Sequence, residues 1–389
     1  MIVKLGDVAF ENRENWTGST EGVPIVGLEH LTPGEITLKD WTSDLQESTF
    51  TKKFRKGQVL LGRRRVYLRK AALAPFDGIC SGDITVIESD PAKLLPELLP
   101  FIIQNDEFFD YAMKGSAGSL SPRVKWAHLA NYTFNLPSLP EQKRLADLLW
   151  AANDLKESYK RLLAASDDMA KSRFVEMFGD TGNNTFHWDI QPLHSVSEIV
   201  SGITKGRKTK CKELINVPYM SVANVKDGYI DWTNLKTIDA TPDELKQYQL
   251  FKGDILMTEG GDPDKVGRGA IITSVPQNCI HQNHIFRVRL CPHKVTPVLF
   301  AEQLRQPSVK QYFLKCAKQT TGIASINMTQ LRSLPVILPP LSLQNEFAAF
   351  IEQLDKSKVA LQKSITALDG TIKTILQITF FNEEEKNNA

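Results

Sequence analysis

The sequence is defined first by what it lacks. No apolar run is long enough to span a bilayer, and no signal peptide opens the chain. The five cysteines, Cys80, Cys211, Cys279, Cys291 and Cys316, are odd in number and have no paired spacing, which fits a reducing cytoplasm better than a disulfide framework. Charge of one sign is also missing: the formal net charge is only +2 over 389 residues. Any anion-binding surface must therefore come from local clustering rather than from a global field. Catalytic signatures are absent as well. Gly260–Gly267 does not end in the Gly-Lys-Ser/Thr of a phosphate loop and reads as a hairpin or loop. No glycine-rich nucleotide fingerprint follows a strand, and no Asn-Pro-Pro-Tyr-like methyltransferase motif occurs. Cys279, His281 and His284 lack a fourth ligand and a closed spacing, so no metal site is expected. Asp243, Glu244 and Lys246 crudely resemble a nuclease cluster. They follow Thr241-Pro242, however, where acids favour the first turn of a helix.

What the chain does have is a duplication. Leu136, Pro137, Leu139, Gln142 and Lys156 recur as Leu338, Pro339, Leu341, Gln344 and Lys358, at a constant offset of 202 positions. Each copy is a proline-rich strap followed by a long helix. The second helix carries apolar residues at alternating spacings of three and four: Phe347, Ile351, Leu354, Leu361, Ile365, Leu368 and Ile372. That is a coiled-coil seam, with Lys358 at one of its positions. The first seam is weaker: Leu145, Leu149, Ala152, Lys156, Tyr159 and Leu163. Two seams in one chain can bury each other; two unrelated amphipathic helices, or helices that dimerise the chain, are the alternatives.

The length suits two or three domains, and 42% apolar with 24% charged residues is the composition of a soluble globular protein. The segment before each strap reads as strands first and helices later, so the fold class is α+β. Val23–Leu31 and Ile79–Ile87 read as strands, and Leu94–Met113 as helix. Pro218–Val225 repeats the pattern of Pro24–Leu31, and Phe251–Leu256 that of Arg55–Leu60, with Gly57 and Gly253 at turns that favour positive φ. Cys279–Val288 parallels Cys80–Ile87. The expected division is 1–139 and 180–339 as two similar domains, 140–179 and 340–381 as their helices, and 382–389 as a disordered tail.

Cations cluster beside loops in both segments. The first has Arg63, Arg64, Arg65, Arg69, Lys70, Lys114, Arg123 and Lys125; the second has Lys205, Arg207, Lys208, Lys210, Lys265, Arg268 and Lys318. Such side chains give phosphate affinity without sequence information. Arg268, Gln282, Asn283, Gln319 and Asn327 add the forked and amide groups that read base edges. A charge run alone is more often a solvated face, but recurrence in both halves favours DNA. A stand-alone nuclease or methyltransferase with unrecognised motifs, and a self-associating coiled-coil protein, are the competing readings.

Taken together, Leu136-Pro137-Ser138-Leu139-Pro140-Glu141-Gln142, its echo Leu338-Pro339-Pro340-Leu341-Ser342-Leu343-Gln344, the helix ending Lys171–Asp180 and Lys252-Gly253-Asp254-Ile255-Leu256 resemble the specificity subunits of Type I restriction-modification systems. The second strap departs from that family in lacking an acid before its glutamine. The resemblance implies two target recognition domains, each reading one half of a split, asymmetric double-stranded DNA site. It implies two helices packed antiparallel as a spacer, and docking of two modification subunits and of restriction subunits. It further implies no catalysis by this chain. S-adenosylmethionine, ATP and magnesium would be held by the partner subunits.

Overall fold

The computed structural model describes residues 1–43, 50–118, 121–209, 211, 213–262, 265–320 and 322–381. The chain divides into two compact units, Met1–Leu162 with Leu361–Ala389, and Leu163–Ala360. The boundary falls inside both long helices, Leu139–Phe178 and Leu341–Phe381. Each unit therefore contains a strand-rich segment and a stretch of each helix. Residues 382–389, expected to be disordered, lie outside the described residues.

In the first unit a four-stranded antiparallel sheet runs in the order Ala9–Asn12, Ile84–Ser89, Val59–Gly62, Ala71–Leu73. Beside it lies a three-stranded sheet in which Ile25–Val26 pairs in parallel with Gly78–Cys80, and Lys52–Phe54 closes the other edge. The second unit repeats the four-stranded sheet and the parallel pair, with the third strand of the smaller sheet on the other member of that pair. Ser197–Ser201, Ile285–Leu290, Ile255–Thr258 and Gly269–Ile271 form the four-stranded sheet. Ile215–Met220 pairs in parallel with Ile280–His281 and antiparallel with Lys236–Ala240. Gly57 and Gly253 have φ of +88° and +93°, as the turn before each buried strand requires.

Several expected elements prove shorter. Val23–Leu31 contains only the strand Ile25–Val26, followed by a 3₁₀ turn at Leu28–His30. His30 Nδ1 accepts the Gly27 amide, a local alternative to a ladder bond. Ile79–Ile87 is two strands, because Ser81–Asp83 form a turn closed by Ile84 N to Ser81 O. Leu94–Met113 is two helices, Leu99–Ile103 and Asp106–Lys114, the second capped by Asn105. The loop from Lys318 is a hairpin, Lys318–Thr320 with Ile323–Ser325, and Gly260–Gly261 pairs with its second strand.

The helices join the cores of their units. In the first, Ala146, Leu149, Ile372, Leu376 and Phe380 pack with Leu98, Phe101 and Phe134. In the second, Phe174, Phe178 and Phe347 are fully buried and meet edge to face or tilted. The helix segments run antiparallel within each unit: Lys156 pairs with Asp369 at 3.0 Å in the first, and Lys358 with Asp167 at 2.7 Å in the second. Of the expected seam, Leu149, Phe347, Leu354, Ile365 and Ile372 are buried; Leu145, Ala152, Tyr159, Leu163, Ile351, Leu361 and Leu368 are half-buried. On the first helix the inner line also takes in Ala146 and Asn153, one position beyond Leu145 and Ala152.

The two straps are locked by the same device. Gln142 Oε1 accepts the Leu95 amide at 3.0 Å, while its Nε2 donates to Lys93 O and Pro137 O. Gln344 Oε1 accepts the Thr296 amide at 2.8 Å, and its Nε2 donates to Lys294 O and Pro339 O. Both glutamines are buried with all of these amide contacts made.

Candidate nucleic-acid interface

The loops at one end of the inner strands of each four-stranded sheet are held by matching backbone hydrogen bonds. Arg63 N donates to Asp83 O, and Glu259 N to His284 O. Val124 N donates to Arg63 O, and Ile326 N to Glu259 O. Ser81 N donates to Val26 O, and Gln282 N to Met220 O; Gly62 N donates to Lys70 O, and Thr258 N to Arg268 O. These bonds equate Arg63 with Glu259, Lys70 with Arg268, Ser81 with Gln282, Gly82 with Asn283, Asp83 with His284 and Arg123 with Ser325. The same register sets His281, rather than Cys279, at the position of Cys80.

In the first unit Asp83 is the hub. Arg123 Nε lies 2.7 Å and Nη2 3.3 Å from its carboxylate, and Arg64 Nη1 lies 3.4 Å away. The Arg123 guanidinium, with Arg64 behind it, holds the Asp83 carboxyl below its ordinary range. Arg64 also donates to Ser121 Oγ. Arg63 Nε and Arg64 Nε are buried with no hydrogen-bond partner among the described residues. Arg63, Ser81 and Asp83 line a cavity of about 610 Å³ together with Glu11, Arg13 and Lys52. Arg65 and Arg69, with φ of +52° and +51°, flank the 3₁₀ turn Val66–Leu68, and Arg65 N is tied to Pro122 O at 2.8 Å. Lys70 Nζ donates to Leu28 O at 2.6 Å, and Lys125 is exposed. Arg69 pairs with Asp106 and Asp110.

In the second unit the expected residues scatter more. Arg207 is engaged by Glu244 and by Asp239 O, 2.9 Å away. This pairing lowers Glu244 to about 2 and fastens the loop to the Pro242–Tyr248 helix, whose first turn Thr241 and Glu244 cap reciprocally. The helix-start reading of Asp243 and Glu244 therefore holds. Lys265 pairs with Asp262, while Lys208 and Lys318 are exposed. Arg268 Nε is buried without a hydrogen-bond partner among the described residues. Gln282 is half-exposed in the turn before Ile285. Lys210 and the side chain of Gln319 lie outside the described residues. Sequence reasoning missed Asp83 and the pair Glu259–His284, in which Nδ1 lies 2.7 Å from Oε2. Only the duplicated register, invisible without strand pairing, brings them into the site.

His281 is fully buried. Burial pushes its imidazole down to about 4, and its ring nitrogens face Tyr248 O and Val200 O. It is a packing residue beside the loop. Among the described residues no group of three His, Cys, Asp or Glu could hold a metal ion. No helix among them is long and apolar enough to cross a membrane.

The chain resembles known proteins in sequence and in fold. Residues 187–368 match the model of the Type I restriction modification DNA specificity domain. The chain is 27% identical over 195 residues to the putative type I restriction enzyme MjaX specificity subunit of Methanocaldococcus jannaschii, covering 50% of this chain and 45% of the relative. It is 24% identical over 274 residues to the EcoKI specificity subunit of Escherichia coli K12, covering 67% and 59%. The matches thus span about half the length of these relatives. A chain solved in work on complex assembly and conformational transition of the type I R-M system is similar in fold, with TM-score 0.57 and 20% identity over 97% of this chain and 96% of that one. In sequence the chain is thus similar to the specificity subunits of type I restriction-modification systems, and residues 187–368 carry the match to their DNA specificity domain.

Proposed function

We propose that this chain is the DNA sequence-specificity subunit of a type I restriction-modification complex, and that each unit reads one half of a bipartite, asymmetric double-stranded site. The observation that carries the proposal is the pairing of a repeated backbone with unlike side chains. The hydrogen bonds that fix Arg63, Ser81 and Asp83 recur at Glu259, Gln282 and His284, while the chemistry at every one of these positions differs. A repeated scaffold with exchanged side chains is suited to reading two different sequences. The surrounding Arg65, Lys125, Lys208 and Lys318 are exposed and available to phosphates.

In this proposal the chain performs no catalysis. Two modification subunits dock on it and methylate adenine with S-adenosylmethionine. Restriction subunits bring the ATP- and magnesium-dependent cleavage. The helices link the readers and govern the gap between half-sites. Part of the seam that self-association would use is already engaged within the chain: Phe347 packs inside the second unit and Ile372 inside the first.

The test is co-purification with the methyltransferase encoded beside this chain, followed by sequencing-based mapping of methylated adenines. A split motif is expected, with halves that change independently when residues 1–135 or 180–337 are exchanged. Turnover by the chain alone, or a continuous motif, would overturn the proposal.

A further inference from the structure

We infer that Glu259 and His284 form a base-reading pair in the second unit. The Glu259 carboxylate selects a base that presents an exocyclic amino group in the major groove, cytosine or adenine. The inference rests on the specificity-subunit reading and deepens it by naming the residues and the base chemistry.

Four observations converge on the pair. First, Glu259 occupies the backbone position that Arg63 holds in the first unit, and His284 that of Asp83, fixed by the matching bonds Arg63 N to Asp83 O and Glu259 N to His284 O. The charge order of the pair is thus reversed: cation then acid in one unit, acid then imidazole in the other. Second, both side chains are accessible. Glu259 is 35% and His284 57% exposed, whereas the acids that serve purely as internal anchors, such as Asp254, are buried. Third, the geometry orients the pair. Because a carboxylate only accepts, the 2.7 Å contact places the imidazole hydrogen on Nδ1 and leaves Nε2 outside the pair. Glu259 Oε1 takes no part in this contact. Fourth, neighbouring positions in sequence and strand register carry amides and cations: Gln282 and Asn283 precede His284, Arg268 occupies the position of Lys70, and Lys318 lies on the hairpin paired with Gly260–Gly261. A lone acid would repel the DNA backbone, whereas an acid inside a cationic rim can be held against base edges.

The base preference comes from donor–acceptor chemistry. In the major groove cytosine offers N4 and adenine N6 as donors, while guanine and thymine offer acceptors at the corresponding edge. A carboxylate accepts from the first pair and faces unpaired acceptors on the second. Arginine at the equivalent place has the opposite preference, which assigns Arg63 to a guanine in the first half-site.

The experiment is methylome mapping of the complex carrying Glu259→Gln, Glu259→Arg or, in the other unit, Arg63→Glu. Glu259→Gln keeps size but can donate as well as accept. At one position of the second half-motif, preference for cytosine or adenine over guanine or thymine should fall by about five- to a hundred-fold, the range of one good base contact. Glu259→Arg should move that position towards guanine. Arg63→Glu should alter the first half-motif alone. Duplexes carrying cytosine or adenine at the position distinguish the two amino-bearing bases. Thermal melting and co-purification report whether each variant is folded and assembled, and His284→Gln provides a second variant should Glu259→Arg fail to fold. A wild-type split motif that is unchanged in folded, assembled Glu259→Gln and His284→Gln would overturn the inference while leaving the subunit reading intact. Absence of any split motif in the wild type would instead overturn the subunit reading.

Discussion

At the scale of the residue, a cation is defined by its partners. Arg207 and Lys208 are neighbours in sequence, yet Arg207 is closed on Glu244 and Asp239 O while Lys208 is exposed. Arg207→Ala is therefore expected to loosen the Pro242–Tyr248 helix and leave the recognised sequence unchanged. Hydrogen exchange of the helix amides and methylome mapping would measure the two effects. The pairing also sets a pH dependence. Glu244 has its value lowered from 4.5 to about 2, so its stabilising contribution is present above pH 4.5 and is lost as pH falls towards 2. Protection of the helix should fade across that window in the wild type. In Arg207→Ala it should already be reduced at neutral pH; equal protection of the two proteins would refute the assignment. Gln344 is a second residue-scale case. Gln344→Ala removes the partner of the half-buried Thr296 amide and of the Lys294 and Pro339 carbonyls, a loss of about 1–3 kcal/mol for a group left out of water, as the buried Pro339 carbonyl would be. Chemical denaturation should show the destabilisation, with faster exchange at Thr296. An unaltered midpoint would mean that water replaces the amide.

At the scale of the element, the helices were legible because their signal is periodic and long, and the straps because Leu, Pro and Gln repeat at fixed offset. The seam was displaced by one position at Ala146 and Asn153, because the first helix carries small and polar residues that mark its inner face weakly. The strands were less legible. Ser81-Gly82-Asp83 interrupts an apolar run without a proline, so the turn is set by Ile84 N reaching Ser81 O and by pairing with distant strands. For the same reason Glu259 and His284 were missed: an acid and an imidazole far apart in sequence announce no site until their strands pair. The seam lysines were visible; their partners were not. Asp369 and Asp167 stand 202 positions apart, as Lys156 and Lys358 do, and each lysine takes the aspartate of the other copy. Lys156 is the more deeply covered, with 7% of its side chain exposed. Asp369→Ala, which strands a covered ammonium, should therefore destabilise the first unit more than the paired change Lys156→Met with Asp369→Leu. Denaturation of both variants checks the order, and a reversed order would mean that Lys156 escapes to solvent.

At the scale of the whole molecule, the unit boundaries give the proposed spacing role a clean test. The first helix passes from one unit to the other between Leu162 and Leu163, and the second between Ala360 and Leu361. An insertion at either point falls between the helix stretch of one unit and that of the other, and the contacts within them include Lys156–Asp369 in one and Lys358–Asp167 in the other. Four residues add about one turn and about 6 Å of helix, and rotate the C-terminal part of the helix by about 40°. Insertion at both points together preserves each unit's own pairing. It should leave the bases of both half-motifs unchanged while changing the number of bases between them. Insertion after Ala360 alone mismatches the two connections and should change the gap or abolish assembly with the modification subunits. Methylome mapping reads the gap directly, and co-purification reads assembly. If the double insertion assembles and methylates at the original gap, the helices do not govern the spacing. If it alters the bases within a half-motif, reading is not confined to the loops around Arg63 and Glu259, and the division between reader and spacer fails.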